Sequence, residues 1–209
     1  MFGSNGYPLQ QESIVVYGRS QNPDLGSQAK RAYYIENNVI HKSGYIYLGA
    51  DSGEDNTHLF FKNNSVYGTR YGGVQQINFK VATVSNNTIR RTGLNNNYYG
   101  TNDDWSGYQI HNNALFTFTN NMIDSSNQTG LVIDYSSGLV DSNTVTNSGA
   151  SISLDGTFSL PTSPMIRHNN LTNNKFYGIQ LSGYSNPTLN YNDLFSNSTE
   201  SDYFDIKNY

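Results

Sequence analysis

Seven times along this chain of 209 residues the pattern apolar-x-x-Asn-x-apolar returns, as IENNVI (35–40), FKNNSV (61–66), VSNNTI (84–89), FTNNMI (118–123), VDSNTV (140–145), IRHNNL (166–171) and LNYNDL (189–194). The Asn falls at 38, 64, 87, 121, 143, 169 and 192, in steps of 26, 23, 34, 22, 26 and 23 residues. A period of roughly 20–30 residues marks a solenoid, whose repeats bury their apolar residues only by stacking on one another. Each repeat alternates apolar and polar residues as a strand does, and the chain turns a corner at the Asn. Asn tolerates the left-handed backbone of a tight corner. Stacked Asn side chains can also satisfy neighbouring backbone groups, so the Asn column is read as structural.

A second strand follows most corners after ten to fourteen residues. Its copies are SIVVY (13–17), YIYLG (45–49), QQINF (75–79), YQIHN (108–112), LVIDY (131–135), SISLD (151–155), GIQLS (178–182) and YFDIK (203–207). Alternation points their centres inward, at Val16, Leu48, Ile77, Ile110, Ile133, Leu154, Leu181 and Ile206.

Composition narrows what such a solenoid does. Charged residues are 13% and the net charge is -4, which argues against nucleic acid. There is no cysteine, so disulfides contribute nothing. No apolar run reaches membrane-spanning length. Low charge with abundant Asn, Thr, Tyr and Gly suits an extracellular or virion surface.

Gly178-Ile-Gln-Leu followed by Leu189-Asn-Tyr-Asn192-Asp-Leu, with the matching copies upstream, resembles the right-handed parallel β-helix repeat of the pectin-lyase-like superfamily. The resemblance spans about residues 13–207. It implies an all-β solenoid of seven to eight coils, three strands per coil, with an Asn ladder between the second and third strands. One domain over 1–209 is expected, either a segment of a longer chain or one capped by other chains or by copies of itself. The resemblance also implies that a substrate, if there is one, lies along the outer face of the opening strands. The superfamily includes lyases, hydrolases, uronan epimerases, tailspikes and non-catalytic adhesins, so the fold alone does not name an activity. Neither the Asp-Pro-His-Asp run of the alginate epimerases nor the catalytic set of the polygalacturonases is present.

On that outer face the alternation places Tyr47, Gln76, Asn78, Gln109, His111, Asp134 and Asp155, and two positions further on Arg19 and Lys80. His111 is the candidate acid or base, with Asp134 to orient it. Lys80 or Arg19 would neutralise a substrate carboxylate and stabilise the enolate-like charge of a β-elimination or epimerisation. Asp134 and Asp155, one rung apart, would repel or share a cation, and Ca²⁺ suits oxygen ligands. Long first turns flank this face, as does a long loop at 93–107 whose Tyr99 and Trp105 would stack on sugar rings. The expectation is a polysaccharide-active β-helix, a lyase or epimerase on an acidic polysaccharide. The alternatives are a non-catalytic glycan-binding or structural β-helix and a glycoside hydrolase.

Overall fold

The computed structural model describes residues 31–50, 57–94, 106–113 and 115–197, with the backbone of two further strands, Ile14–Gly18 and Ile206–Asn208. Arg19, Tyr99, Trp105 and nearly all of the 93–107 loop lie outside the described residues. Every named strand pairs in parallel with the equivalent strand of the next coil, which gives one sheet of eight strands and two of seven. The chain visits the three sheets in turn and then rises one rung, so the described residues form a parallel β-helix. They contain no helix long and apolar enough to cross a membrane.

Ile46, Leu48, Ile110, Leu131, Ile133, Ile152, Leu154 and Ile179 fill the first wall of the core. Leu59, Phe61, Ala82, Val84, Phe116, Phe118 and Val140 fill the second, and Val66, Ile89, Ile123, Val145 and Leu171 the third. Fully burying such a side chain is worth about 1.5–3 kcal/mol. Most of that gain exists only when the next coil is in place, so the coils stabilise one another.

The corner between the second and third sheets is built from two consecutive residues. The first takes the left-handed conformation: Asn37, Asn63, Asn86, Asn120, Ser142, His168 and Tyr191 have φ between 53° and 60°. The second is the ladder Asn, whose side chain turns inward. This corrects the expectation that the ladder Asn itself supplies the left-handed corner. A side chain that must point into the core cannot belong to the residue that reverses the backbone outward. Asn121 shows the ladder bonding: its Oδ1 accepts from the Asn87 N–H at 3.0 Å and Asn87 Nδ2 at 2.9 Å, and its Nδ2 donates to Val84 O and Asn143 Oδ1, both at 3.1 Å.

A second polar column runs down the corner between the third and first sheets, and it was not read from the sequence. Ser43, Thr69, Thr92, Ser126, Ser148, Asn174 and Asn197 are all buried there. Each stands five residues after a ladder Asn, and each follows a left-handed residue: Lys42, Gly68, Arg91, Ser125, Asn147, Asn173 or Ser196. Where the column turns to Asn it bonds as the ladder does, with Asn174 Oδ1 accepting from the Ser148 N–H at 2.9 Å and Asn197 Oδ1 from Asn174 Nδ2 at 2.8 Å. The step from ladder Asn to this column is therefore five residues at each of these seven positions, and the unequal spacing of the repeats arises outside it.

Replacing Asn121 by Ala strands the Asn87 amide donors and the Val84 carbonyl. At about 1–3 kcal/mol for each buried group left unpaired, Asn121→Ala is expected to cost at least about 3 kcal/mol in urea unfolding. Asn38→Ala, at the half-buried first rung, should cost about 1 kcal/mol or less.

Candidate functional site

The register of the first sheet decides which side chains share its outer face. Tyr47, Gln75, Gln109, Val132, Ser153 and Gln180 are successive Cα partners, and so are Gly49, Ile77, His111, Asp134, Asp155 and Ser182. Neighbouring members of a row are about 4.8 Å apart. Tyr47, Gln109, His111, Asp134 and Asp155 thus stand on the expected face.

The coil at 74–77 departs from expectation by one residue. Ile77 faces outward, while Gln76 is completely buried. Two constraints outweigh the preference for burying Ile. The corner falls at Asn78, in line with the left-handed Asn112 and Tyr135, and sends Phe79 into the core. In addition, Gly73 lies so close to Gly107 that a Cβ on it would sit 2.0 Å from the Gly107 carbonyl oxygen, which leaves the strand no freedom to slip. Inside, the Tyr108 hydroxyl donates to Gln76 Oε1 at 2.8 Å and Gln76 Nε2 donates to Asn113 Oδ1 at 3.1 Å. Burial pushes the Tyr108 phenol well above its usual pKa, so it stays a neutral donor. Gln76 is thus a core residue. Asn78 is a corner residue whose Oδ1 accepts from Asn112 Nδ2 at 2.7 Å and whose Nδ2 donates to Ala50 O at 3.1 Å.

The same corner moves Lys80. Alternation does not continue through Asn78, because the chain turns there, and Lys80 immediately precedes the second-sheet strand Val81–Ser85. It is exposed, and its backbone N–H donates to Thr57 Oγ1 at 3.2 Å. Lys80 does not join His111 and the aspartates.

Those residues line a groove of about 440 Å³, with Gln109, Ser153, Gln180 and Ser182 also on its floor and Ser106, Gln128 and Thr129 on one flank. His111 Nδ1 is 3.6 Å from Asp134 Oδ2, and Gln109 Nε2 donates to the same oxygen at 3.1 Å. Gln75 Nε2 donates in turn to Gln109 Oε1 at 2.9 Å. The Tyr135 ring meets the imidazole edge-on, with centroids 5.2 Å apart. Asp134 therefore addresses Nδ1 of a half-buried imidazole and leaves Nε2 for other contacts. One rung on, Asp155 Oδ1 accepts from the Gly156 N–H at 3.0 Å.

Among the described residues no three His, Cys, Asp or Glu side chains converge as a metal-binding group. Asp134 and Asp155 bring two carboxylates, where Ca²⁺ takes about six to eight oxygens.

The model of the right handed β-helix region family matches residues 10–189. The chain belongs to the right-handed β-helix family. No curated protein and no solved structure matches the chain, so the β-helix is assigned by family and the groove by its own chemistry.

Away from the groove, on the second corner of this β-helix, Asp141 gathers three partners. Arg167 Nε and Nη2 donate to Oδ2 at 3.1 and 3.0 Å, His168 Nδ1 lies 3.0 Å from Oδ1, and Ser142 Oγ donates to Oδ1 at 3.1 Å. Desolvation works to raise this carboxyl, but the hydrogen bonds from His168, Arg167 and Ser142 and the Arg167 charge outweigh it and hold its pKa below the usual value.

Two outcomes check these assignments. Gln76→Ala should cost about 2–4 kcal/mol in urea unfolding, by stranding the Tyr108 hydroxyl and opening a void, whereas Gln75→Ala on the outer face should cost under about 1 kcal/mol. For Asp141 the folded pKa is the lower one, so its contribution to stability is complete above the unfolded-chain carboxylate value and disappears as pH falls through the folded value. Asp141→Asn should flatten the acid limb of a stability-against-pH curve, leaving the region above neutrality parallel to wild type.

Proposed function

We propose that the outer face of the first sheet binds a glycan and acts on it. In this reading His111 Nε2 is the proton donor or acceptor, Asp134 orients the imidazole through Nδ1, and Asp155 is the second carboxylate. The observation that carries the reading is the linked set Gln109, Asp134 and His111 at 3.1 and 3.6 Å on the floor of an open groove. An imidazole oriented by a carboxylate is a general acid or base near neutral pH. Amides and hydroxyls on neighbouring rungs suit the hydroxyl pairs of a saccharide.

A lyase or epimerase on acidic polysaccharide rests on a cation to neutralise the substrate carboxylate. Lys80 stands beyond the first corner, and the described groove carries Asp134 and Asp155. Support therefore moves toward glycoside hydrolysis of an uncharged glycan, in which one group protonates the leaving oxygen and a carboxylate attacks the anomeric carbon or activates water. Asp134 and Asp155 are assigned to the glycan and not to Ca²⁺. A second reading, binding without turnover, is favoured by the chain from Gln75 through Gln109 to Asp134, which occupies the groups it links. Both readings suit an extracellular or virion protein that meets polysaccharide.

Proton NMR of neutral and uronate polysaccharides incubated with wild type, His111→Ala and Asp155→Asn tests the proposal. The expected outcome is new saturated reducing ends from a neutral glycan, falling by about 10²-fold or more in each variant and unaffected by EGTA. Unsaturated ends would mean a lyase and inverted uronates an epimerase. Unchanged spectra accompanied by saturable binding would leave the second reading.

A further inference from the structure

Beyond Gly156 the chain leaves the first sheet for a short excursion that carries one ring of an aromatic pair. The Thr157 N–H donates to Leu160 O at 3.0 Å and the Leu160 N–H to Thr157 O at 3.2 Å, closing a tight turn with Phe158 at its tip. The base of the excursion is clamped to the next coil. The Thr162 N–H donates to Tyr184 O at 3.1 Å, the Tyr184 N–H to Gly156 O at 2.9 Å and the Asn186 N–H to Thr162 O at 2.9 Å. Thr162, fully buried, also donates its hydroxyl to Asp155 O.

Two glycines permit this contact. A Cβ on Gly156 would lie 2.6 Å from Tyr184 O, and one on Gly183, at φ +59°, 2.1 Å from Gly156 O. The clamp holds Phe158 83% and Tyr184 58% exposed, edge to face, with ring centroids 5.6 Å apart. A collapsed loop would have buried these rings, whereas here the backbone holds them in water.

The pair follows directly, along the chain, from two residues of the groove. Phe158 follows Asp155 by three residues and Tyr184 follows Ser182 by two, and Asp155 and Ser182 are partnered floor residues. We infer that Phe158 and Tyr184 form a stacking subsite for a pyranose ring of a glycan chain that continues out of the groove past Asp155 and Ser182. The occupant follows from continuity with a hydroxyl- and amide-lined floor, because sugar rings combine C–H faces that suit aromatic rings with hydroxyls that suit such a floor. The inference rests on the glycan reading of the groove and adds that the ligand is an oligomer, long enough to reach from His111 to the excursion.

Titration of wild type, Phe158→Ala, Tyr184→Ala and Gln109→Ala with hexasaccharides and disaccharides of cellulose, xylan, mannan and galacturonan tests it, alongside sedimentation velocity. Both aromatic side chains are exposed, so their variants should keep the wild-type thermal midpoint. The expected result is a hexasaccharide Kd weakened about tenfold in Phe158→Ala and Tyr184→Ala, with disaccharide binding unchanged and Gln109→Ala weakening both ligands. Loss in Gln109→Ala alone would overturn the subsite and leave the groove reading intact. Loss in the aromatic variants alone would overturn the groove reading and, with it, the subsite as the continuation of that groove. Absence of binding to every saccharide by wild type would overturn both. Self-association of wild type that Phe158→Ala abolishes would reassign the pair to contact between copies and overturn the subsite.

Discussion

A carboxamide at the second corner, fully buried in the inner coils, holds this molecule in register. An Asn side chain offers two donors and an accepting oxygen, and Asn64, Asn87, Asn121, Asn143 and Asn169 use both ends, taking bonds from one coil and giving bonds to the next and to the carbonyl of a preceding strand. Once one coil has bonded in this way, the phase of the next is set. The left-handed residue ahead of each Asn and the polar residue five positions after it then fall into columns of their own.

These constraints reach the outer face of the first sheet. Side chains alternate across a strand, so the rungs that seat Ile110, Ile133 and Leu154 in the core also place His111, Asp134 and Asp155 in one outward row. Small residues shape the remainder of that face. Gly49 is one example: a Cβ there would lie 2.7 Å from the Tyr47 ring, so its absence lets the aromatic side chain lie along the sheet instead of standing away from it.

The Asn period was readable because one residue type recurs with one neighbour pattern, and the inward centres at Leu48, Ile110, Ile133 and Leu154 were readable because each is an apolar residue in an alternating run. Gln76 misled because the choice between it and Ile77 turns on the corner at Asn78 and on Gly107, and its burial is satisfied by Tyr108 and Asn113, partners more than thirty residues away in the chain. Lys80 misled because alternation does not survive a corner, and the left-handed residue at that corner, Asn78, resembles any other Asn. The second polar column escaped notice through its chemistry: Ser, Thr and Asn share the corner, and only the constant spacing of five reveals them as one set. Arg19, Tyr99 and Trp105 lie outside the described residues.

The constant five-residue step from each ladder Asn to the second polar column gives the molecule an invariant spine. The segments outside that step have grown or shrunk between coils while every coil still advances by one strand spacing, about 4.8 Å. A chain of this kind works as a graduated ruler. Recombination that adds or removes a whole coil would change the number of marks and the reach of anything laid along them, while the interval between marks stays fixed by the pitch of the backbone.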